Sequence, residues 1–121
     1  MKYLIKPFEP DGTVIAPPSK SFAHRAIILS ALSKGETYVK NVGNSADVNA
    51  TLNCVKALGA KVQLMGDGVI ITGIEKLPET VHLDFGESGS TMRFLIPVVC
   101  ALGVKATFTG RGKLLQRPNE V

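Results

Sequence analysis

The chain has 121 residues, 45% of them apolar and 20% charged, and 14 basic against 10 acidic side chains leave a net charge of +4. That balance excludes a disordered chain, and the length corresponds to one domain or a piece of one. The longest apolar run, Phe94 to Leu102, is nine residues, against roughly 20 for a membrane-spanning helix, and the opening Met-Lys-Tyr-Leu-Ile-Lys lacks the apolar core of a signal peptide.

Strands and helices alternate along the sequence. Lys2 to Lys6 and Thr13 to Ala16 read as short strands, the second closed by Pro17-Pro18. Ser19 to Ser33 reads as a helix stopped by Gly35. Phe22, Ala26 and Leu29 mark one apolar face, and Ala23, Ile27, Ile28, Ala31 and Leu32 fill most of the rest, which predicts a helix buried inside a domain. Thr37 to Val42 is rich in β-formers. Ser45 to Leu58 is the next helix, with Val48, Leu52 and Val55 on one face, Asn49, Asn53 and Lys56 on the other, and Gly59 as its stop. Lys61 to Met65 and Val69 to Thr72 flank Gly66-Asp67-Gly68, a hairpin signal. Val81 to Phe85 starts another strand. Ser88 to Leu102 is a second nearly all-apolar helix, ended at Gly103, and Pro97 is expected to kink it or lengthen one turn. Lys105 to Thr109 is a last strand.

Part of this order repeats. Arg25 and Arg93 stand 68 positions apart, and the same offset carries Thr37 to Val42 onto Lys105 to Gly110. A unit of strand, helix, strand, helix and hairpin therefore starts again near Val81. A further helix is expected after Arg117-Pro118, and Val121 falls within its first turn. One and a half copies read as an incomplete domain whose inner helices need more chain to cover them.

Cys54 and Cys100 each lie in an apolar helical pattern and read as small buried residues in a reducing compartment, not as a disulfide. With His24 and His82 they make no metal-ligand spacing. His24 reads as a partly buried structural histidine, His82 as an exposed strand residue. The mild basicity favours anions. There is no basic run, no Trp and no aromatic-rich strand for nucleic acid.

Three segments gather the chemistry. In Pro17-Pro18-Ser19-Lys20-Ser21-Phe22-Ala23-His24-Arg25 the prolines lead into a helix that Ser19 or Ser21 can cap, and its free N–H groups and dipole favour an anion beside Lys20. Ser21 and Arg25 share a face. A guanidinium in so apolar a helix is expected to need a partner, such as Asp47 or Glu87. Gly86-Glu87-Ser88-Gly89-Ser90-Thr91-Met92-Arg93 repeats that arrangement, with glycines that let a ligand approach the backbone. Neither segment is a P-loop or a dinucleotide fingerprint. Arg111, Lys113 and Arg117 make a third cluster. Asp47 reads as a helix cap or ion-pair partner. Together Lys20, Arg25, Arg93, Lys113 and Arg117 suit a substrate carrying phosphate and carboxylate groups.

The combination of Ser19-Lys20-Ser21-x-x-His24-Arg25, Ser45-x-Asp47, Leu58-Gly59-Ala60, Gly89-Ser90-Thr91-Met92-Arg93 and Gly110…Arg117-Pro118 resembles the amino-terminal part of the 5-enolpyruvylshikimate-3-phosphate synthases (3-phosphoshikimate 1-carboxyvinyltransferases). The resemblance implies an α/β fold of β-α-β-α-β-β units, an inside-out α/β barrel domain with about one and a half units present. It implies that residues 1–17 are strands of the other domain. Residues 18–121 would be an incomplete first substrate-binding domain, with unit one at about 18–75 and a partial unit two at about 80–121. It implies transfer of the enolpyruvyl group of phosphoenolpyruvate to shikimate 3-phosphate in aromatic amino-acid synthesis, by addition and elimination, with no metal or organic cofactor, in the cytoplasm. Glyphosate competes with phosphoenolpyruvate in that family.

By the same resemblance Lys20 is the catalytic lysine that touches both substrates. Ser21 and Arg25 bind shikimate 3-phosphate, and Gly89, Ser90 and Arg117 bind phosphoenolpyruvate. Arg93 is assigned packing and field more than contact. Glu87 and Phe94 depart from the family's usual Asn and Pro. The implied partner is the C-terminal domain of the same enzyme, with no nucleic acid or membrane. Isolated, the chain is expected to supply one wall of the site and to be inactive. Two other readings stay open: a non-catalytic anion-binding or domain-assembly module, and a relative of UDP-N-acetylglucosamine enolpyruvyl transferase.

Overall fold

The computed structural model describes residues 2–118. In chain order they form α1 (Lys20–Leu32), β1 (Glu36–Val39), α2 (Ala46–Ala57), β2 (Lys61–Met65), β3 (Gly68–Thr72), β4 (Thr80–Asp84), α3 (Gly89–Leu102), β5 (Lys105–Thr109) and a 3-10 helical turn, Gly112–Gln116. The order β1-β3-β2 makes one antiparallel sheet, and β4 pairs with β5 in parallel. β3 takes the centre because Val69 and Ile71 are apolar enough to be fully buried. Its hairpin to β2 closes through Gly66-Asp67, with Met65 opposite Gly68. The connection from β4 through α3 to β5 is the crossover that a parallel pair requires.

Local signals set the helix ends. Ser19, Ser45 and Ser88 each accept a backbone N–H three residues on, from Phe22, Val48 and Thr91, which contributes about 1 kcal/mol per cap. At the far ends Gly59 and Gly103 take positive φ angles of +108° and +70°. Ala60 N–H then reaches the Val55 carbonyl, and Val104 N–H that of Val99, so both stops are Schellman turns. α2 is amphipathic as its spacing predicts: Val48, Leu52 and Val55 are buried, and Asn49, Asn53 and Lys56 face solvent. Its apolar face packs on α1, α3 and β4, so the core runs from Ile27 through Val48 and Val55 to Leu83 and Leu95.

Several expectations change. Residues 2–17 form no strand; Val14 and Ile15 are 90% and 93% exposed. A lone extended segment cannot satisfy its backbone as a strand until it meets a sheet edge. α1 is buried on one side only. Its Phe22–Ala26–Leu29 face lines an open groove of about 600 Å³ with residues 37–42, leaving Phe22 76% and Leu29 66% exposed. Among the described residues β1 pairs with β3 alone, so its other edge is unpaired. α3 likewise buries only Thr91, Leu95 and Val99. It runs on through Pro97, which has no N–H to donate to the Arg93 carbonyl. The 3-10 turn has no marker in the sequence pattern; Leu114 anchors it in the core beside Phe85 and Met92. The repeat holds as far as α1–β1 and α3–β5. The helix expected after Arg117-Pro118 lies outside the described residues.

The cysteines separate. Cys54 is buried, with its thiol toward the Asp84 carbonyl, and burial, with the Asp84 charge adding to it, pushes its pKa up to about 12. Cys100 is exposed, because it sits on the open side of α3, and this corrects the expectation that both are buried. A thiol reagent that needs the thiolate is therefore expected to modify one cysteine per native chain, and the second only in denaturant. Protection of Cys100, or fast reaction of Cys54, in a mass-resolved alkylation time course would contradict these placements.

Candidate anion site at three helix starts

The first turns of α1, α2 and α3 are tied to one another by side chains. Lys20 Nζ donates to Asp47 Oδ2 at 2.8 Å, linking α1 to the first turn of α2. Below it, His24 Nδ1 meets Thr51 Oγ1 at 2.7 Å, and Thr51 Oγ1 meets Thr91 Oγ1 at 2.8 Å. Thr91 Oγ1 in turn donates to Ser88 Oγ at 2.6 Å, and both threonine hydroxyls lie within reach of the Asp47 carbonyl. His24, Thr51, Ser88 and Thr91 are all buried. Three positive dipole ends thus stand side by side, with Asp47 the acid in the first turn of any of these helices. Asp47 is the ion-pair partner of Lys20, whereas the cap of α2 is Ser45. The pair is partly exposed, 57% at Lys20 and 34% at Asp47, and contributes little to stability, about 0–1 kcal/mol.

Ser21 and Arg25 do share a face. Arg25 Nη1 donates to the Ser21 carbonyl at 2.8 Å, and the guanidinium lies 4.8 Å from the centre of the Phe94 ring of α3. Arg25 is exposed, which corrects the expectation of a buried cation paired with Asp47 or Glu87. The outward helix face needs no acid there, and the ring supplies a cation–π contact instead.

Gly89, Ser90, Arg93 and Arg117 line a pocket of about 160 Å³ at the start of α3. Arg117 follows the 3-10 turn, which aims it back at the helix; a Cβ on Gly89 would stand 3.0 Å from its Nη1. Glycine at 89 therefore lets the guanidinium approach the helix backbone, and both can meet one anion. Lys20, Ser21 and Arg25 are not in this pocket; they lie at the neighbouring helix start, joined to it through Phe94 and the buried hydroxyls. Arg93 also lines the pocket, in addition to the packing and field that the resemblance implies for it. The basic cluster at 111–117 divides. Arg111 goes to a separate cleft of about 560 Å³ with Asp47, Asp84 and Glu87. His82 is exposed and bonds Thr109 Oγ1 at 2.8 Å. Sequence reasoning missed Thr51 and Thr91, since nothing marks a threonine in an apolar helix as a link to residues 27 or 40 positions away.

The sequence matches the family profile of EPSP synthase (3-phosphoshikimate 1-carboxyvinyltransferase) over residues 6–120. It is 44% identical to the 3-phosphoshikimate 1-carboxyvinyltransferase of Clostridium perfringens over 97% of this chain and 28% of that one. It is 42% identical to that of Clostridium kluyveri over 100% of this chain and 29% of the other. The fold is similar to that of an EPSP synthase structure from Acinetobacter baumannii, with a TM-score of 0.68 and 26% identity over 88% of this chain and 25% of that one. The chain thus spans a little over a quarter of the length of these curated relatives.

Burial holds the His24 pKa below its ordinary 6.5, since charging the ring costs solvation; Asp47 opposes this, and Lys20 and Arg25 reinforce it. The unfolded chain therefore takes up the proton first as pH falls through about 6.5. Stability is fully present above that pH and declines below it. Thermal unfolding followed from about pH 8 down to about pH 5 should show Tm falling with acid, with a shallower slope in His24→Gln. Equal slopes in the two proteins would refute this role for His24.

Proposed function

The chain belongs to the EPSP synthase family, and on that premise we propose that it supplies one wall of a site where the enolpyruvyl group of phosphoenolpyruvate passes to shikimate 3-phosphate. The observation that carries the reading is the pairing of Arg117 with the open start of α3 at Gly89, beside a second cationic helix start at Lys20 and Arg25. In this reading Gly89, Ser90 and Arg117 receive phosphoenolpyruvate, with Arg93 adding positive field. Ser21 and Arg25 hold shikimate 3-phosphate. Lys20 is the catalytic cation, reaching both substrates once they compete with Asp47 for its ammonium.

Both substrates are multiply charged, so fixed donors at two helix ends can stabilise charge that develops during addition and be relieved of it on elimination. The remaining contacts come from more chain. The uncovered face of α1, with Phe22 and Leu29, and the extended residues 2–17 support packing against further parts of the same enzyme, including its C-terminal domain. A cytoplasmic setting follows from the same reading.

The test joins these 121 residues to the further length found in their relatives. The resulting protein should release phosphate from the two substrates together and be inhibited by glyphosate competing with phosphoenolpyruvate. Lys20→Ala or Arg117→Ala should lower kcat/KM about 10- to 100-fold, the loss expected for one charged hydrogen bond. The shorter chain alone should bind shikimate 3-phosphate better than inorganic phosphate without turnover. Wild-type kinetics in either variant would overturn the assignment of that residue. Binding that follows ionic strength without preferring shikimate 3-phosphate would favour a generic anion-binding module.

A further inference from the structure

We propose that Thr51 and Thr91 are positioning residues of this site, their joined hydroxyls setting the start of α3, with Gly89 and Ser90, against the start of α1, with Lys20. The inference rests on the function proposed above for those residues. Its basis is the continuity of the buried chain His24–Thr51–Thr91–Ser88, each link between 2.6 and 2.8 Å and one link from each helix to the next. Neither threonine is assigned a contact with substrate.

The proton count shows why the hydroxyls act together. Each threonine has one proton and can accept more than one. With a proton on His24 Nδ1, donation runs from His24 to Thr51, to Thr91, to Ser88. With Nδ1 bare, it runs the other way and ends on the imidazole. In both directions all three links are made. Removing either threonine hydroxyl breaks the run in the middle and leaves its neighbours to find other partners in a buried space. The nearest alternative for both threonines is the Asp47 carbonyl, at 3.3 Å from Thr51 and 3.4 Å from Thr91. A shift toward it would move α3 relative to α2. Ser88 both caps α3 through Thr91 N–H and ends the chain, so such a shift reaches Gly89 and Ser90 directly. Asp47 also holds Lys20, which places the same displacement at the other cationic group.

The experiment uses the 121-residue chain and nuclear magnetic resonance, with phosphoenolpyruvate as the titrant followed at the Gly89 and Ser90 amides. Thr91→Val should weaken binding about tenfold, the effect of one buried hydroxyl left without its partner. Thr91→Ser, which keeps the hydroxyl, should restore it. Thr51→Val should shift the unliganded Gly89 and Ser90 amides although residue 51 belongs to another helix, and the double variant Thr51→Val/Thr91→Val should bind no worse than the poorer single variant. Native affinity in Thr91→Val overturns the proposal. So does failure of Thr91→Ser to restore binding, or additive losses in the double variant. If the native chain shows no response to phosphoenolpyruvate, the functional reading fails instead. The positioning role is then decided by Thr51→Val alone: unmoved Gly89 and Ser90 amides overturn it, and moved ones support it.

Discussion

Three helix N-termini stand together at one end of this molecule, and each brings unsatisfied N–H groups and the positive end of a dipole. Such an arrangement repels itself unless something neutral joins the ends from beneath. The buried run from His24 through Thr51 and Thr91 to Ser88 does this without spending a carboxylate. Burial keeps the imidazole pKa low, so the join adds no positive charge near neutral pH. The uncompensated field is left for whatever lies at the exposed surface above. Asp47 is the exception, and it is placed where it quenches one cation, Lys20, without entering the pocket of Arg93 and Arg117.

The packing follows from the same join. α2 carries Asn49, Asn53 and Lys56 on its exposed face, and it sits between α1, α3 and β4. Its apolar side is covered on folding, which contributes about 1.5–3 kcal/mol for each large side chain removed from water. α1 and α3 lean on α2 with one face each and leave the other open, at Phe22 and Leu29 in one case and Cys100 in the other. Apolar residues are thus left in water on both helices, and on α1 they line the groove against β1.

Legibility in the sequence tracked distance along the chain. Serine caps and glycine stops involve bonds between residues three to five apart, and Ser88, Gly59 and Gly103 could be read directly, whereas the sequence leaves the α1 cap between Ser19 and Ser21 and offers Asp47 as a cap where the structure uses Ser45. The two-sided pattern of α2 was equally plain. Arg25 was misread because its neighbours in sequence are apolar, while its neighbours in space are Phe94 and solvent. Cys100 failed for the same reason. The segments at Lys2 to Lys6 and Thr13 to Ala16 have strand-forming residues, but a strand is a property of a pair, and no edge in the described residues accepts them.

The sequence by itself determined the three helices, the glycine stops of α2 and α3 and the cations that stand at helix starts, because each of these depends on a few consecutive residues. Its motif order was also enough to point to the family. Only the tertiary structure decided which cations meet. It sent Arg117 and Arg93 to Gly89, Arg111 to a separate acidic cleft and Lys20 to Asp47. It also turned two threonines 40 positions apart into one junction. Those outcomes depend on how helices pack on a shared core, where the position of every side chain is set by residues distant in sequence.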